Sequence, residues 1–261
     1  MTKDCLFVPQ WPILYTDNHL LALYKPAGLP VQGDDTRDIS LLDLGKHWIK
    51  EKYAKPGNVF LGLVHRLDRP VAGVVLFCRT SKAAARISEQ FRSKTAGKTY
   101  LAVLQGRLKQ PSGELLHYIQ RIPHKSSRIV SHRAPSAAQA LLTYRKKGES
   151  ENTTLVEIDL KTGRHHQIRA QFSHIGHPIV GDLRYGAAAP LPEKQIALLA
   201  ACLEISHPIS GQRIRMESPL PGDWPWKRKK AKRGFSGTGV TSKIRLPLFF
   251  YEKSDLPSFQ A

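Results

Sequence analysis

Apolar and polar positions along this chain recur with two different periods, and the change of period marks its elements. Residues 13–24 carry a turn at Asp17-Asn18 and then Leu20-Leu21-Ala22-Leu23-Tyr24, a strand-like run closed by Lys25-Pro26-Ala27-Gly28. Behind Ser40 or Asp38 as N-cap, Leu41, Leu44, His47 and Trp48 recur at helical spacing, and Pro56-Gly57-Asn58 then punctuates the chain. Residues 59–69 and 74–78 read as strands. Ser81 can cap a helix whose inner face is Ala84, Ile87 and Phe91. Residues 98–104 alternate, with Tyr100, Ala102 and Leu104 on one face, and residues 154–160 alternate likewise, with Val156, Ile158 and Leu160 inward. A helix is expected from about Arg164 to Ile175, with Ile168, Phe172 and Ile175 on its apolar side and Gly176 as its C-terminal cap.

Strands and helices interleave, but several strands are joined by links too short for a crossover helix. That predicts an α+β domain with a mixed, largely antiparallel central sheet and flanking helices and loops, not a doubly wound one. No repeat of solenoid or propeller length is visible. Residues 1–226 read as one domain. Residues 227–261 read as a tail or arm, because six basic residues occupy the seven positions from Lys227 to Arg233 before a Gly/Ser/Thr-rich stretch.

Composition adds a partner to this picture. The chain has 261 residues, 41% hydrophobic and 23% charged, an ordinary globular balance, yet 40 Lys and Arg against 21 Asp and Glu leave a formal charge of +19. A polyanion, with nucleic acid foremost, is the expected counterpart. Cys5, Cys78 and Cys202 are too few and too scattered for a disulfide framework or a zinc ribbon, which suits a reducing compartment. No uncharged run approaches the roughly 20 residues of a spanning helix, so membrane is not an expected partner and the cytoplasm is the expected location. Phosphate-loop, dinucleotide, zinc-protease and nucleophile-elbow motifs are missing, and His165-His166, adjacent on a helix, would face two directions. Neither metal nor cofactor is expected.

The most unusual local feature is Asp68 in His65-Arg66-Leu67-Asp68-Arg69, the only carboxylate between Glu51 and Glu89. On a strand Arg66 and Asp68 would share a face. An acid among cations stays ionised and can act as nucleophile or base, although the same pattern also suits a strand-end aspartate in a salt bridge or turn. A second constellation is Lys161-Thr162-Gly163-Arg164-His165-His166-Gln167-Ile168-Arg169. It could be a helix start facing phosphate or a solvated basic face, and Arg169, five residues after Arg164, points elsewhere. Lys98-Thr99-Tyr100 alone could be a sheet-packed tyrosine.

These blocks, together with Tyr24-Lys25-Pro26-Ala27-Gly28-Leu29-Pro30-Val31, Gly176-His177-Pro178-Ile179-Val180-Gly181-Asp182 and Tyr185-Gly186, stand in an order that resembles the RluA-type pseudouridine synthases from about Ile13 to Pro219. The resemblance implies the pseudouridine synthase catalytic fold and isomerisation of uridine to pseudouridine in structured RNA, either tRNA or rRNA, by base flipping. It implies Asp68 as the catalytic aspartate, Tyr100 as the active-site tyrosine and Arg169 as the basic partner of the aspartate. Arg66 resembles the residue that enters the RNA stack. His65, Arg69, Lys161, Arg164 and His166 are expected to contact RNA, as are Lys227, Arg228, Lys229 and Lys230 in the arm. The chain departs from the family at Pro70-Val71-Ala72-Gly73, where a Thr-Ser-Gly ending is more usual, and no S4-like module is expected before Ile13. A monomer is the simplest expectation. A non-catalytic RNA-binding or ribosome-associated protein is the main rival, since it explains the charge but not the lone acid; a nuclease or base-removing glycosidase is a further one.

Overall fold

A computed structural model describes residues 12–33, 38–122 and 126–226. Within them eleven strands form one sheet and three α-helices pack on it. The strands are β1 (Ile13–Thr16), β2 (Leu20–Lys25), β3 (Gly62–Leu63), β4 (Ala72–Cys78), β5 (Gly97–Gln105), β6 (Ser112–Ile122), β7 (Ser126–Val130), β8 (Ala138–Glu149), β9 (Thr153–Leu160), β10 (Leu198–Ser206) and β11 (Arg213–Glu217). The helices are α1 (Leu41–Lys52), α2 (Ser81–Arg92) and α3 (Gln167–His174). The sheet runs β1-β2-β4-β10-β5-β9-β8-β6-β7, with β11 on β10 and β3 on β4. Every pairing is antiparallel except β4 with β10. This is the α+β fold that the short links predict.

Alternation sorts the strand residues onto two cores. Leu21, Leu23, Val75 and Phe77 enter the larger core with α1 and with Ile168 and Phe172 of α3, whereas Leu20, Ala22, Val74, Leu76 and Cys78 enter a second core under Ala83 and Ile87 of α2. β4 is buried at all seven positions, because both of its faces carry helices. Cys78 and Cys202 are free, buried thiols.

Local chemistry sets the helix starts. Ser40 caps α1 in a capping box: its Oγ accepts from Asp43 N, and the Asp43 carboxylate accepts from Ser40 N. His47, expected on the inner face, is exposed, and Gly45 and Ile49 are buried instead. α2 is capped by Thr80, one residue before the expected Ser81, through a bond from Ala83 N to Thr80 Oγ1.

Two expectations are corrected. The strand expected over residues 59–69 shrinks to Gly62–Leu63, and residues 64–68 run on without strand pairing, so Arg66 and Asp68 are not placed by a common strand face. The reason is competition for one edge of β4, since β2 pairs along its other edge: β10 takes Ala72 and Gly73, and β3 takes Phe77 and Cys78. Between them His65 Nε2 accepts the Leu76 N–H at 2.8 Å and so replaces a strand carbonyl. The helix expected from Arg164 begins three residues later, at Gln167, behind a turn. Gly176 does follow its C-terminus with φ +81°, and His177 N bonds back to Phe172 O, as a helix-ending glycine requires.

The parallel crossing of β4 and β10 fixes the position of Gly73. Its φ is +130°, and a Cβ there would lie 2.3 Å from Ala200 O and 2.6 Å from Ala200 N. Gly73→Ala is therefore expected to cost about 3 kcal/mol or more, from backbone strain and overpacking together. Denaturant unfolding checks this, and a stability equal to the parent's would mean the two strands can separate without loss.

Candidate active site

Four chain segments build the site. The turn before β4 supplies Asp68, β5 supplies Tyr100, α3 with its preceding turn supplies His166 and Arg169, and the short helical turn Leu183–Tyr185 with its cap supplies Asp182 and Tyr185. They line or back a cavity of about 110 Å³, whose wall includes Arg66, Asp68, Tyr100, His166, Arg169 and Leu198.

Arg169 is the hub. Its side chain is 5% exposed, Nε and Nη2 donate to the two carboxylate oxygens of Asp182 at 2.7 and 2.8 Å, and Nη1 donates to Asp68 Oδ2 at 3.1 Å. Its guanidinium also lies 4.9 Å over the Tyr185 ring. Burial alone would depress the Arg169 pKa, but Asp182 and Asp68 raise it above its ordinary value. The cation is thus fixed by one buried carboxylate and offers its remaining edge to the other.

Asp68 is the more accessible acid, 28% exposed against 1% for Asp182. Tyr100 lines the same cavity, and burial together with the Asp68 charge pushes its phenol well above the ordinary value. Beneath the site, Lys25 is fully buried, and its Nζ donates to the carbonyls of Pro26, Leu29 and Arg69 at 2.9, 2.8 and 3.0 Å. Burial pushes this ammonium down to about 7, against the opposing pull of Asp68. The lysine ties the turn after β2 to the turn that carries Asp68.

The other expected RNA contacts divide. Arg66 is exposed beside Asp68 at the cavity mouth. Arg69 donates to Gly28 O at 2.9 Å and pairs with Asp38. Lys161 pairs with Asp159, and Arg164 Nε donates to Gln139 O at 2.9 Å, both on the exposed surface. His165 and His166 do not face two directions: their rings stack at 3.8 Å, because the turn before α3 is not helical. His65 lies away from the surface role expected of it, stacked on Phe91 at 4.9 Å while it accepts the Leu76 N–H. Lys227, Arg228, Lys229 and Lys230 lie outside the described residues. Among the described residues no group of three or more His, Cys, Asp or Glu side chains could hold a metal, and no helix is long and apolar enough to cross a membrane.

Sequence reasoning assigned no role to Asp182, Tyr185 or Lys25. The signal for Asp182 was present: it is the only carboxylate between Asp159 and Glu193, and a buried arginine in that stretch requires one.

The histidines give the fold an acid-sensitive term. Burial, helped by Lys98, pushes His65 down to about 4, and burial with the Arg169 charge pushes His166 down to about 2. An imidazole in the unfolded chain titrates near 6.5. Between about pH 6.5 and 4 the unfolded chain therefore binds more protons, so stability is full above this window and falls as pH drops through it. Urea unfolding across the window is expected to show that loss and His65→Asn to reduce its slope; an unchanged slope would assign the loss to other groups.

Comparison with known proteins supplies the family. The model of the RNA pseudouridylate synthase family matches residues 19–174. The "Uncharacterized RNA pseudouridine synthase YhcT" of Bacillus subtilis is 33% identical over 217 residues, which cover 81% of this chain and 69% of that protein. The "Ribosomal large subunit pseudouridine synthase D" of Xylella fastidiosa is 34% identical over 225 residues, covering 81% of this chain and 66% of that protein. The chain thus spans about two thirds of the length of these curated relatives. Among solved structures, "Human RNA Pseudouridylate Synthase Domain Containing 4" shares the fold with a TM-score of 0.68 at 24% identity, over 81% of this chain and 89% of that one. With a family model across more than half of its length, and with relatives of this identity, the chain belongs to the RNA pseudouridylate synthase family as an RluA-type member.

Proposed function

We propose that this chain isomerises uridine to pseudouridine within structured RNA, tRNA or ribosomal RNA, and that Asp68 is its catalytic carboxylate. The observation that carries the reading is the Asp68–Arg169–Asp182 arrangement at a concave cavity, where a base extruded from its stack can reach the carboxylate. In the reaction the C1′–N1 bond of the target breaks, the uracil turns while held, and C5 bonds to C1′. The C5 proton is lost and N1 takes one up, so the product has the mass of the substrate. Asp68 attacks C1′ or takes the C2′ proton; in either role Arg169 holds its carboxylate in place through Oδ2.

Arg66 fills the gap that the extruded base leaves, a role supported by its exposure beside the cavity. Tyr100 acts by packing against the base and by donating through its hydroxyl. With its pKa pushed upward the phenol stays protonated, which weighs against its taking the C5 proton. The apolar wall from Leu67, Val71, Ile168 and Leu198 keeps water from the sugar while the base is detached.

The "Ribosomal large subunit" in the name of the Xylella fastidiosa relative makes ribosomal RNA the first substrate to try. Total RNA and transcribed ribosomal RNA, incubated with the protein and mapped for pseudouridine, test the reading. New pseudouridines without shortening of the RNA or release of free uracil are expected; cleavage or free base would replace the proposal with a nuclease or glycosidase. Residues 1–226 are proposed as the catalytic domain and residues 227–261 as an arm on the RNA backbone. Deleting the arm is expected to flatten the salt dependence of RNA binding by about 0.7 to 0.9 in log–log slope per lost phosphate contact. An unchanged slope would make the arm a bystander.

A further inference from the structure

His166 was expected on the RNA, yet its side chain is 7% exposed and faces inward. Its Nε2 lies 3.4 Å from Asp68 Oδ2, and its Nδ1 lies 2.9 Å from the hydroxyl of Tyr185. The hydroxyl oxygen in turn accepts the Ser127 N–H at 2.8 Å, so strand β7 anchors it. Ser127 Oγ meets His165 Nδ1 at 2.9 Å, and that ring is stacked on His166. The His166 ring is therefore held at Nδ1 and along one face.

The proton positions follow from this network. The Tyr185 hydroxyl proton has two acceptors, Ser127 O at 3.2 Å and His166 Nδ1 at 2.9 Å, and the shorter contact is to the imidazole. The ring is neutral, because burial and the Arg169 charge suppress its protonation. With Nδ1 accepting, the single ring proton sits on Nε2, the nitrogen that lies 3.4 Å from Asp68 Oδ2. The other tautomer would set a nitrogen lone pair against the carboxylate. The backbone also serves this placement: His166 is at φ 51°, ψ 27°, a left-handed conformation that a non-glycine residue adopts only when its surroundings compel it.

Arg169 and His166 approach the same oxygen of Asp68. No hydrogen bond reaches Oδ1 among the described residues, whereas Oδ2 has the guanidinium at 3.1 Å and the imidazole at 3.4 Å.

We propose that His166 is a positioning residue which, with Arg169, pins Asp68 Oδ2 so that Oδ1 is the oxygen presented to the uridine, and that Tyr185 and Ser127 set the histidine tautomer needed for this. The long 3.4 Å contact shortens when the substrate closes the site, as such contacts commonly do between free and bound enzymes. The inference rests on the assignment of Asp68 to the chemistry.

The test uses the full chain and transcripts of ribosomal RNA and tRNA carrying tritium at uridine C5, whose release counts turnovers. His166→Phe keeps the ring and removes both nitrogens; its kcat is expected to fall about tenfold to a hundredfold, the cost of a slightly misplaced reacting group, with KM and RNA affinity unchanged. His166→Gln restores a side-chain N–H near the Nε2 position and is expected to recover most of that loss. Tyr185→Phe, which frees the tautomer without emptying the site, is expected to lower kcat in the same selective way. It also serves as the reporter should His166→Phe fail to fold. Parental kcat in both Phe variants, a loss confined to KM, or a Gln variant as slow as the Phe variant would each overturn the proposal. Asp68→Asn is run beside them. Parental turnover in that variant sinks the reading of Asp68 itself, whereas an inactive Asp68→Asn with a fully active His166→Phe sinks only the role of the histidine.

Discussion

Replacing Asp68 with Asn is expected to lower pseudouridine formation by at least about 10²–10⁴-fold, the range for loss of a positioned acid–base group, while RNA binding is retained. The two readouts separate because the substitution is nearly isosteric. Asn keeps an oxygen that can accept from Arg169 Nη1, and Arg169 keeps its bidentate bond to Asp182, so the cavity wall holds its shape. What is lost is the charge and the basic or nucleophilic oxygen. Affinity for a polyanion does not depend on that charge, since removing one carboxylate from a chain of net +19 makes its field no less positive. Tritium release and filter binding on the same transcripts check both halves. Turnover at the parental rate would remove Asp68 from the mechanism.

Asp182→Ala is expected to be the most destabilising substitution in the site, by about 3–5 kcal/mol, because it leaves a buried guanidinium with one partner in place of two. Arg169 is 5% exposed and Asp182 1% exposed, so water cannot replace the lost carboxylate. The remaining partner, Asp68, would draw the whole interaction, and activity should fall with stability. A double variant separates the two effects. Asp182→Leu with Arg169→Met replaces the ion pair by apolar groups and is expected to regain much of the stability, as buried pairs exchanged for packed side chains often do, without regaining turnover. Urea unfolding and tritium release provide the two measurements. Equal recovery of both would show that Arg169 serves only packing.

Strands with one clean buried face were legible from periodicity: β9 alternates perfectly, with Thr154, Val156, Ile158 and Leu160 buried. β6 was not, since only Leu115 and Ile119 of its eleven residues are buried and no apolar period survives. Residues 59–69 failed in the opposite sense. They carry the apolar content of a strand, but the edge they would occupy is divided between β3 and β10, and a histidine ring fills the gap. The site was legible in unequal parts. A lone acid among arginines drew attention to Asp68, whereas the roles of Tyr100 and Arg169 came through resemblance. The inward turn of His166 depends on a left-handed backbone and on Ser127, 39 positions earlier, which no local pattern encodes. Lys25 sat unread at the end of an apolar strand, where its burial is supported by three carbonyls contributed by two turns.

β10 lies between β4 and β5, which carry the two sides of the cavity, although β4 and β5 are close neighbours along the chain. Leu199 and Ala200 pair with Ala72 and Gly73 on one side and with Leu101 and Tyr100 on the other. This arrangement governs the order of assembly during synthesis. A nascent chain that has emerged as far as Arg169 already contains Asp68, Tyr100 and their arginine, but lacks the strand that joins the sheet's halves. Loop closure over more than a hundred residues has to wait for it. Until residues 198–206 have been made, a growing chain therefore lacks the strand that holds the two walls of the cavity together.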